Sequence, residues 1–155
     1  MYYYLMNKIL TKKVSLLLLV IWLLVIFIFS SMNGGSSSSL SKNILMGLTN
    51  NSVASKHTFD LLHLILRKSA HFLEYFILSA LIYNYLRFYN FKQNSLYILV
   101  FIFNLICSIL DELHQVLTLG RTGKLVDVLI DSLGAILFLI IIIIVNKNAT
   151  KRKSN

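Results

Sequence analysis

Carboxylates are scarce in this chain, and most of them lie in or beside apolar segments. The sequence has only six acidic residues, of which Asp60 stands apart from any such segment. The other five are Glu74, Asp111, Glu112, Asp127 and Asp131. A charged side chain at the centre of a spanning helix costs about 2.5–3.5 kcal/mol on insertion scales, so acids kept there normally face a bundle interior or a wet cavity. These five acids are therefore the first candidates for chemistry.

Helical spacing aligns the acids with other polar side chains. At about 100° per residue, Arg67, His71 and Glu74 share one face of a helix. Two further stripes contain Asn104, Ser108, Asp111 and Gln115, and Lys124, Asp127 and Asp131. The nearby basic residues, which almost balance the five acids, are Arg67, Lys68, Arg121 and Lys124. The sequence therefore predicts one polar cavity whose charges largely pair with each other.

Two kinds of catalytic chemistry fit these residues, and each has a structural alternative. His71 and Glu74 are one helical turn apart and can act as a general acid/base pair, or they can form an ion pair that fixes their helix. Four of the carboxylates, those of Asp111, Glu112, Asp127 and Asp131, can hold a hard cation such as Mg²⁺. Salt bridges to the nearby bases are the preferred interpretation, so no metal site is assigned and the cofactor is unknown. The candidate catalytic residues are His71, Glu74, Asp111, Asp127 and Asp131.

The basic residues beside the cavity are candidates for ligand binding. Arg121 and Lys124 suit a phosphate or carboxylate, and Gly120 and Gly123 allow close approach of the backbone. The alternative is that these bases only hold the loop near anionic headgroups. The candidate ligand-binding residues are Arg67, Lys68, Glu112, Gln115, Arg121 and Lys124.

The elements that must position these residues are membrane helices. The chain has 155 residues, of which 57% are hydrophobic and 14% charged, and a mean hydropathy of +0.73. Soluble domains average about 25% charged residues. The net charge of +9 does not indicate a nucleic-acid partner, because the basic residues flank apolar runs and form no stripe with aromatics. With one cysteine, Cys107, an internal disulfide is excluded.

Four apolar segments predict an all-α fold, a polytopic membrane bundle of four transmembrane helices in a single domain over residues 1–155. The segments are Val14–Phe29, about Phe72–Leu86, about Leu96–Leu117 and Leu125–Val145. A spanning helix needs about 20 residues, which the last segment supplies outright and the others supply with flanking or polar residues included. A signal peptide is disfavoured for the first segment because its length is at the upper end for such peptides and no alanine of an A-x-A cleavage site follows it.

The connections predict where the chain leaves the membrane. Composition makes Ser30–Ser41 a flexible loop, and residues 42–66 are expected to form one or two short helices on the membrane surface, within an outer loop over residues 31–66. Lys and Arg residues favour cytoplasmic N- and C-termini in the cell membrane, with a basic tail over residues 146–155. In this topology the five acids lie one or two turns below the outer surface.

Taken together, four strings of residues resemble the VanZ-like family over about residues 20–140. The strings are Arg67-Lys-Ser-Ala-His-Phe-Leu-Glu-Tyr75, Asp111-Glu-Leu-His-Gln115, Gly120-Arg-Thr-Gly123 and Asp127-Val-Leu-Ile-Asp131-Ser-Leu-Gly134. The resemblance implies a small helical membrane protein of the bacterial envelope. It also implies low-level resistance to glycopeptide antibiotics such as teicoplanin.

Three functions are compatible with the sequence. The first is an envelope protein whose cavity engages an outer-leaflet lipid, a lipid-linked wall precursor or the tail of a lipoglycopeptide. The second is an intramembrane enzyme acting on a phosphorylated lipid headgroup. The third, an ion or proton carrier, is disfavoured because Leu16–Phe29 and Leu137–Val145 are unbroken apolar runs with no polar relay.

Overall fold

Helices account for almost all of the computed structural model, which describes residues 2–32, 34–48, 56–120 and 123–154. The helices in these ranges are α1 (Tyr2–Ser31), α2 (Gly34–Leu48), α3 (Lys56–Leu86), α4 (Gln93–Leu117) and α5 (Leu125–Ser154). No strand occurs in the described ranges, so the all-α prediction is confirmed. Helices α1, α4 and α5 contain spans long and apolar enough to cross a membrane, at Thr11–Ser31, Gln93–Leu117 and Leu125–Asn148.

The serine-rich segment after α1 corrects one prediction. A flexible loop is expected over Ser30–Ser41, but α2 begins at Gly34 and continues through this segment. Its serine hydroxyls bond to carbonyls of the same helix, as Ser39 Oγ does to the oxygen of Gly35 at 2.9 Å. Composition overstated the flexibility of this segment, because bonds of this kind satisfy the serine hydroxyls within a helix. The helix is also held to the rest of the fold by Leu45, whose side chain is buried.

The region after α2 also differs from expectation. Residues 56–66, assigned to short surface helices, are the first turns of α3. The segment over residues 49–55 lies outside the described residues. The predicted outer loop therefore contains one separate helix, α2, and the beginning of a long one.

Contacts between side chains fix the direction of α1 relative to α3. Near one end of the bundle, Asn84 Nδ2 of α3 donates to Ser15 Oγ of α1 at 2.9 Å. Further along, Trp22 Nε1 of α1 donates to the carbonyl oxygen of Glu74 at 3.0 Å. Because α1 rises in number while α3 falls, the two helices are antiparallel.

The same reasoning orders the remaining helices. Asn104 Nδ2 of α4 donates to the carbonyl oxygen of Tyr75 at 2.9 Å, and the Tyr83 ring stacks on that of Tyr97 with centroids 6.3 Å apart. Asn146 Nδ2 of α5 donates to the Tyr97 hydroxyl at 3.0 Å. Helix α4 is therefore antiparallel to both α3 and α5, and α1 runs in the same direction as α4.

Helix α3 occupies the centre of the fold and contacts α1, α2, α4 and α5. Its Leu78 and Ile82 are buried with Val100 of α4 in the apolar core. Gly134 of α5 lies against the backbone of α3, where an added Cβ would meet the Phe72 carbonyl and the Phe76 amide nitrogen. Only glycine, which has no side chain, allows the two backbones to come this close. The polar residues of α5 therefore lie beside those of α3.

Candidate functional site

The polar side chains gather at the end of the bundle where α1 and α4 finish and α5 begins. The buried polar residues at this end include Asp111, Glu112, Gln115, Asp127 and Asp131. They come from α4 and α5, whose stripes were predicted to converge. Burial of so many polar groups together indicates a shared site, because isolated acids facing hydrocarbon are costly.

Asp131 is the most deeply buried acid, with 0% of its surface exposed. Its Oδ2 accepts a hydrogen bond from Ser108 Oγ at 2.6 Å. Its Oδ1 lies 3.4 Å from Nδ1 of His71, at ion-pair distance but without hydrogen-bond geometry. The predicted contact between the α3 stripe and an acid of another helix is confirmed here. For His71 and Glu74, the acid/base pair stays a prediction.

A second network fixes the end of α4. Gln115 Nε2 donates to Asp111 Oδ2 at 2.8 Å and lies 3.4 Å from Glu112 Oε1. The other oxygen of Glu112 accepts the backbone N–H of Lys124 at 2.7 Å. Gly123, the residue before this N–H, lies so close to the Glu112 carbonyl that a Cβ would collide with it. The start of α5 is therefore held directly against α4.

Asp127 pairs with Lys68 of α3, a partner that the sequence did not single out. Asp127 thus has a basic partner and Asp111 accepts from Gln115, and no Mg²⁺ site is assigned to the four carboxylates. Arg121 lies outside the described residues, so its predicted ligand role is carried forward only as a prediction.

An apolar cavity of about 370 Å³ lies between α1, α2 and α3, with the end of α4 at its base. Side chains such as Trp22, Phe29 and Ile44 form its apolar walls. The polar residues that line it are Ser30, Ser41, Arg67, His71, Glu74, Asp111 and Gln115. The sequence did not reveal the part played by α1 and α2, because apolar lining residues look the same as lipid-facing ones.

A smaller, polar pocket of about 100 Å³ adjoins the cavity. Its charged residues are Arg67, Lys68, Lys124 and Asp127. The two spaces share Arg67, His71 and Gln115 in their linings, so they lie next to each other. Lys68 and Lys124 reach this pocket from α3 and from the turn before α5.

Two glycines shape the wall of the polar pocket. Gly120 has a φ of +74°, a left-handed conformation that glycine adopts without strain. A Cβ on Gly34 would collide with the Gly120 carbonyl, and Gly34 N donates to the Leu119 oxygen at 3.0 Å. The close backbone approach at Gly120 is to the start of α2, and its approach to a ligand stays a prediction.

Comparison with known proteins identifies the family. No curated protein and no solved structure matches the chain. The model of the VanZ/LLP1 family matches residues 15–146, which include the helices and side chains of the site just described. The chain therefore belongs to the VanZ/LLP1 family.

Proposed function

We propose that this VanZ-family membrane protein binds an amphiphile with an apolar tail and an anionic, phosphate-type headgroup. The observation that carries the proposal is the union of an apolar cavity with a basic pocket through shared residues. Binding sites for small molecules are mostly apolar, with a few polar groups that fix orientation. The two spaces meet that description for a lipid and its headgroup.

The charges of the polar pocket favour an anion. Arg67, Lys68 and Lys124 line it against a single acid, Asp127. Since Asp127 pairs with Lys68, Arg67 and Lys124 supply the net positive charge. A guanidinium binds phosphate through two parallel hydrogen bonds, and an ammonium adds a point charge. A neutral headgroup would gain little from this arrangement.

Helix α3 serves, in this proposal, as a fourth transmembrane helix. Its 31 residues give a length of about 46 Å at 1.5 Å per residue, longer than the roughly 30 Å hydrocarbon core. Because α1 and α4 run in the same direction, the chain between them has to return across the membrane. Helix α3 is the element available for that return.

The orientation follows from the basic residues. Lys12, Arg87 and Lys147 lie at the end opposite the polar site, which favours a cytoplasmic location for that end. The site then opens toward the outer leaflet of the bacterial cell membrane, with α2 at the membrane surface. Its ligands are outer-leaflet phospholipids or a lipid-linked wall precursor. In this proposal, capture of such a ligand, or of the tail of a lipoglycopeptide, accounts for low-level teicoplanin resistance.

Cysteine labelling tests this topology. In a Cys107→Ser background, Gly35→Cys is expected to react with a membrane-impermeant maleimide in intact cells, because position 35 lies at the outer end. Asn90→Cys, in the turn between α3 and α4, should react only after permeabilisation. Labelling of Asn90→Cys from outside, or of a cysteine placed at position 150, would contradict the proposed orientation.

Binding of a phosphorylated tail tests the function. The chain has a single tryptophan, and Trp22 lines the apolar cavity, so its fluorescence reports occupancy. We expect farnesyl phosphate to change the emission of the purified protein and to bind about tenfold or more tighter than farnesol, because a hydrogen bond to a charged group contributes about 1.5–3 kcal/mol.

Matched variants separate headgroup recognition from partition into the micelle. Arg67→Gln and Lys124→Gln should each weaken farnesyl phosphate binding by about tenfold and leave farnesol binding unchanged. Arg87→Gln, at the opposite end of the bundle, should bind as the unchanged protein does. Equal affinity for the two probes, or equal losses in all three variants, would refute phosphate recognition.

A second candidate function is headgroup chemistry within the membrane. It is favoured by one observation, the contact between His71 and buried Asp131 next to the basic pocket, which His71 also lines. A histidine placed beside a carboxylate can take and return a proton. Release of inorganic phosphate from farnesyl phosphate by the purified protein, lost in His71→Gln, would support this alternative over simple binding.

A further inference from the structure

We propose that His71, Glu112 and Asp131 bind one divalent transition-metal ion. The three residues belong to α3, α4 and α5, and one potential ligand atom from each lies within 4.8 Å of the other two. The site differs from the four-carboxylate arrangement suggested by sequence, because the converging side chains include a histidine and leave out Asp111 and Asp127. It also stands independently of the lipid-binding proposal.

Two buried atoms at this point have no hydrogen-bond partner. They are Nδ1 of His71 and Oδ1 of Asp131, which lie 3.4 Å apart, and the Asp131 side chain is fully buried. Buried polar atoms are nearly always hydrogen-bonded, and the one contact between these two atoms has ion-pair distance without hydrogen-bond geometry. A cation between them would satisfy both atoms at once, since each offers a lone pair.

The surrounding hydrogen bonds leave the ligand atoms available. Ser108 donates to Oδ2 of Asp131, so the carboxylate is oriented and Oδ1 is the oxygen left for an ion. Glu112 is held by the Lys124 N–H and by Gln115, and each of its oxygens retains a second lone pair. Such outer partners are typical of metal sites, where they fix the orientation of the ligands.

The donor set selects the kind of ion. One imidazole nitrogen with two carboxylates matches Zn²⁺ or Mn²⁺, whereas Ca²⁺ takes six to eight oxygen ligands. The two carboxylate charges neutralise a divalent ion, which reduces the cost of burying all three. Three protein ligands leave a coordination position open, and His71 borders the basic pocket, so an anion bound there would lie beside the ion.

Metal titration of the intact protein tests the site. The full chain, purified in detergent without a histidine tag and stripped with a chelator, is titrated with Zn²⁺ against a chromophoric chelator and with Mn²⁺ by electron paramagnetic resonance. We expect one ion per chain for at least one of the two metals. His71→Gln, Glu112→Gln and Asp131→Asn should each weaken binding by at least about tenfold.

Two exposed residues of α3 outside the site provide the controls. Asp60→Asn and His57→Gln make the same kinds of change at exposed positions without touching a proposed ligand, so both should bind the ion as the unchanged protein does. The ion should also raise the thermal unfolding midpoint of the unchanged protein and of both controls, and fail to do so in His71→Gln. If Asp131→Asn does not fold, His71→Gln and Glu112→Gln still decide the question.

Two results would contradict the proposed metal site. Absence of binding to the unchanged protein overturns it, as does binding that is equal in the ligand variants and the controls. Neither result depends on farnesyl phosphate, which is absent from the titration. Loss of the metal site would therefore leave the lipid-binding proposal standing, and loss of lipid binding would leave the metal site standing.

Discussion

Replacing Gly134 with alanine is expected to remove most of the protein from the membrane fraction. The new Cβ would collide with the Phe72 carbonyl and crowd the Phe76 amide nitrogen, both in the backbone of α3, which cannot rotate aside as a side chain can. Helices α3 and α5 would have to separate, and overpacking of this kind typically costs about 1–3 kcal/mol or more. Immunoblotting of membranes and unfolding of the purified protein in detergent measure the loss.

Gly47→Ala is the matched control for this experiment. Gly47 also lies inside a helix, but nothing stands within 4 Å of where its Cβ would be. Alanine favours helix over glycine by roughly 0.8–1.0 kcal/mol, so Gly47→Ala should keep full abundance. Equal abundance of the two variants would show that α3 and α5 do not pack as closely as described.

At least one isosteric change of a site acid is expected to abolish function while the protein remains at full abundance. The variants are Glu74→Gln, Asp111→Asn, Asp127→Asn and Asp131→Asn. If the acids act on a ligand, removing one charge eliminates the activity without unfolding the bundle. The measurement is teicoplanin susceptibility of a Gram-positive host that expresses each variant, set against its amount in the membrane.

The opposite outcome has an equally definite meaning. Breaking a buried ion pair leaves a stranded charge and costs about 3–5 kcal/mol, so purely structural acids would lower abundance and activity together. If all four variants lose activity in proportion to their abundance, the site is structural and the proposed function is wrong. Release of phosphate from farnesyl phosphate, measured with and without added metal, repeats the comparison in vitro.

Helix content and the convergence of the polar stripes were both predictable from the sequence. Hydropathy identified α1, α4 and α5, and a period of 3.6 residues placed Ser108 and Asp111 on one face of α4. The cost of lipid-facing acids then required the stripes to meet. The approach of His71 to Asp131 agrees with that expectation.

The pairing of individual side chains could not be predicted in the same way. Lys68 pairs with Asp127, and Glu112 accepts the N–H of Lys124, contacts that depend on how far each helix is rotated and how closely glycines let the backbones approach. The extent of α3 was underestimated because its first turns include polar residues such as Lys56, His57 and Asp60, which interrupt the apolar signal. For α2 the helical prediction covered only residues 42–48, because the serine-rich part before them gave no apolar signal.

The central position of α3 has a consequence for how the protein is made. Among the described helices the three that qualify as spans by apolar character are α1, α4 and α5, yet α3 contacts all of these. Arg67, Lys68 and Glu74 disfavour its entry into lipid from the translocon as an isolated segment. Lys68 and His71 meet their acidic partners, Asp127 and Asp131, only when α5 has been synthesised. Stable insertion of α3 is therefore coupled to the folding of the C-terminal half, and a nascent chain ending before α5 should be a substrate for membrane quality control.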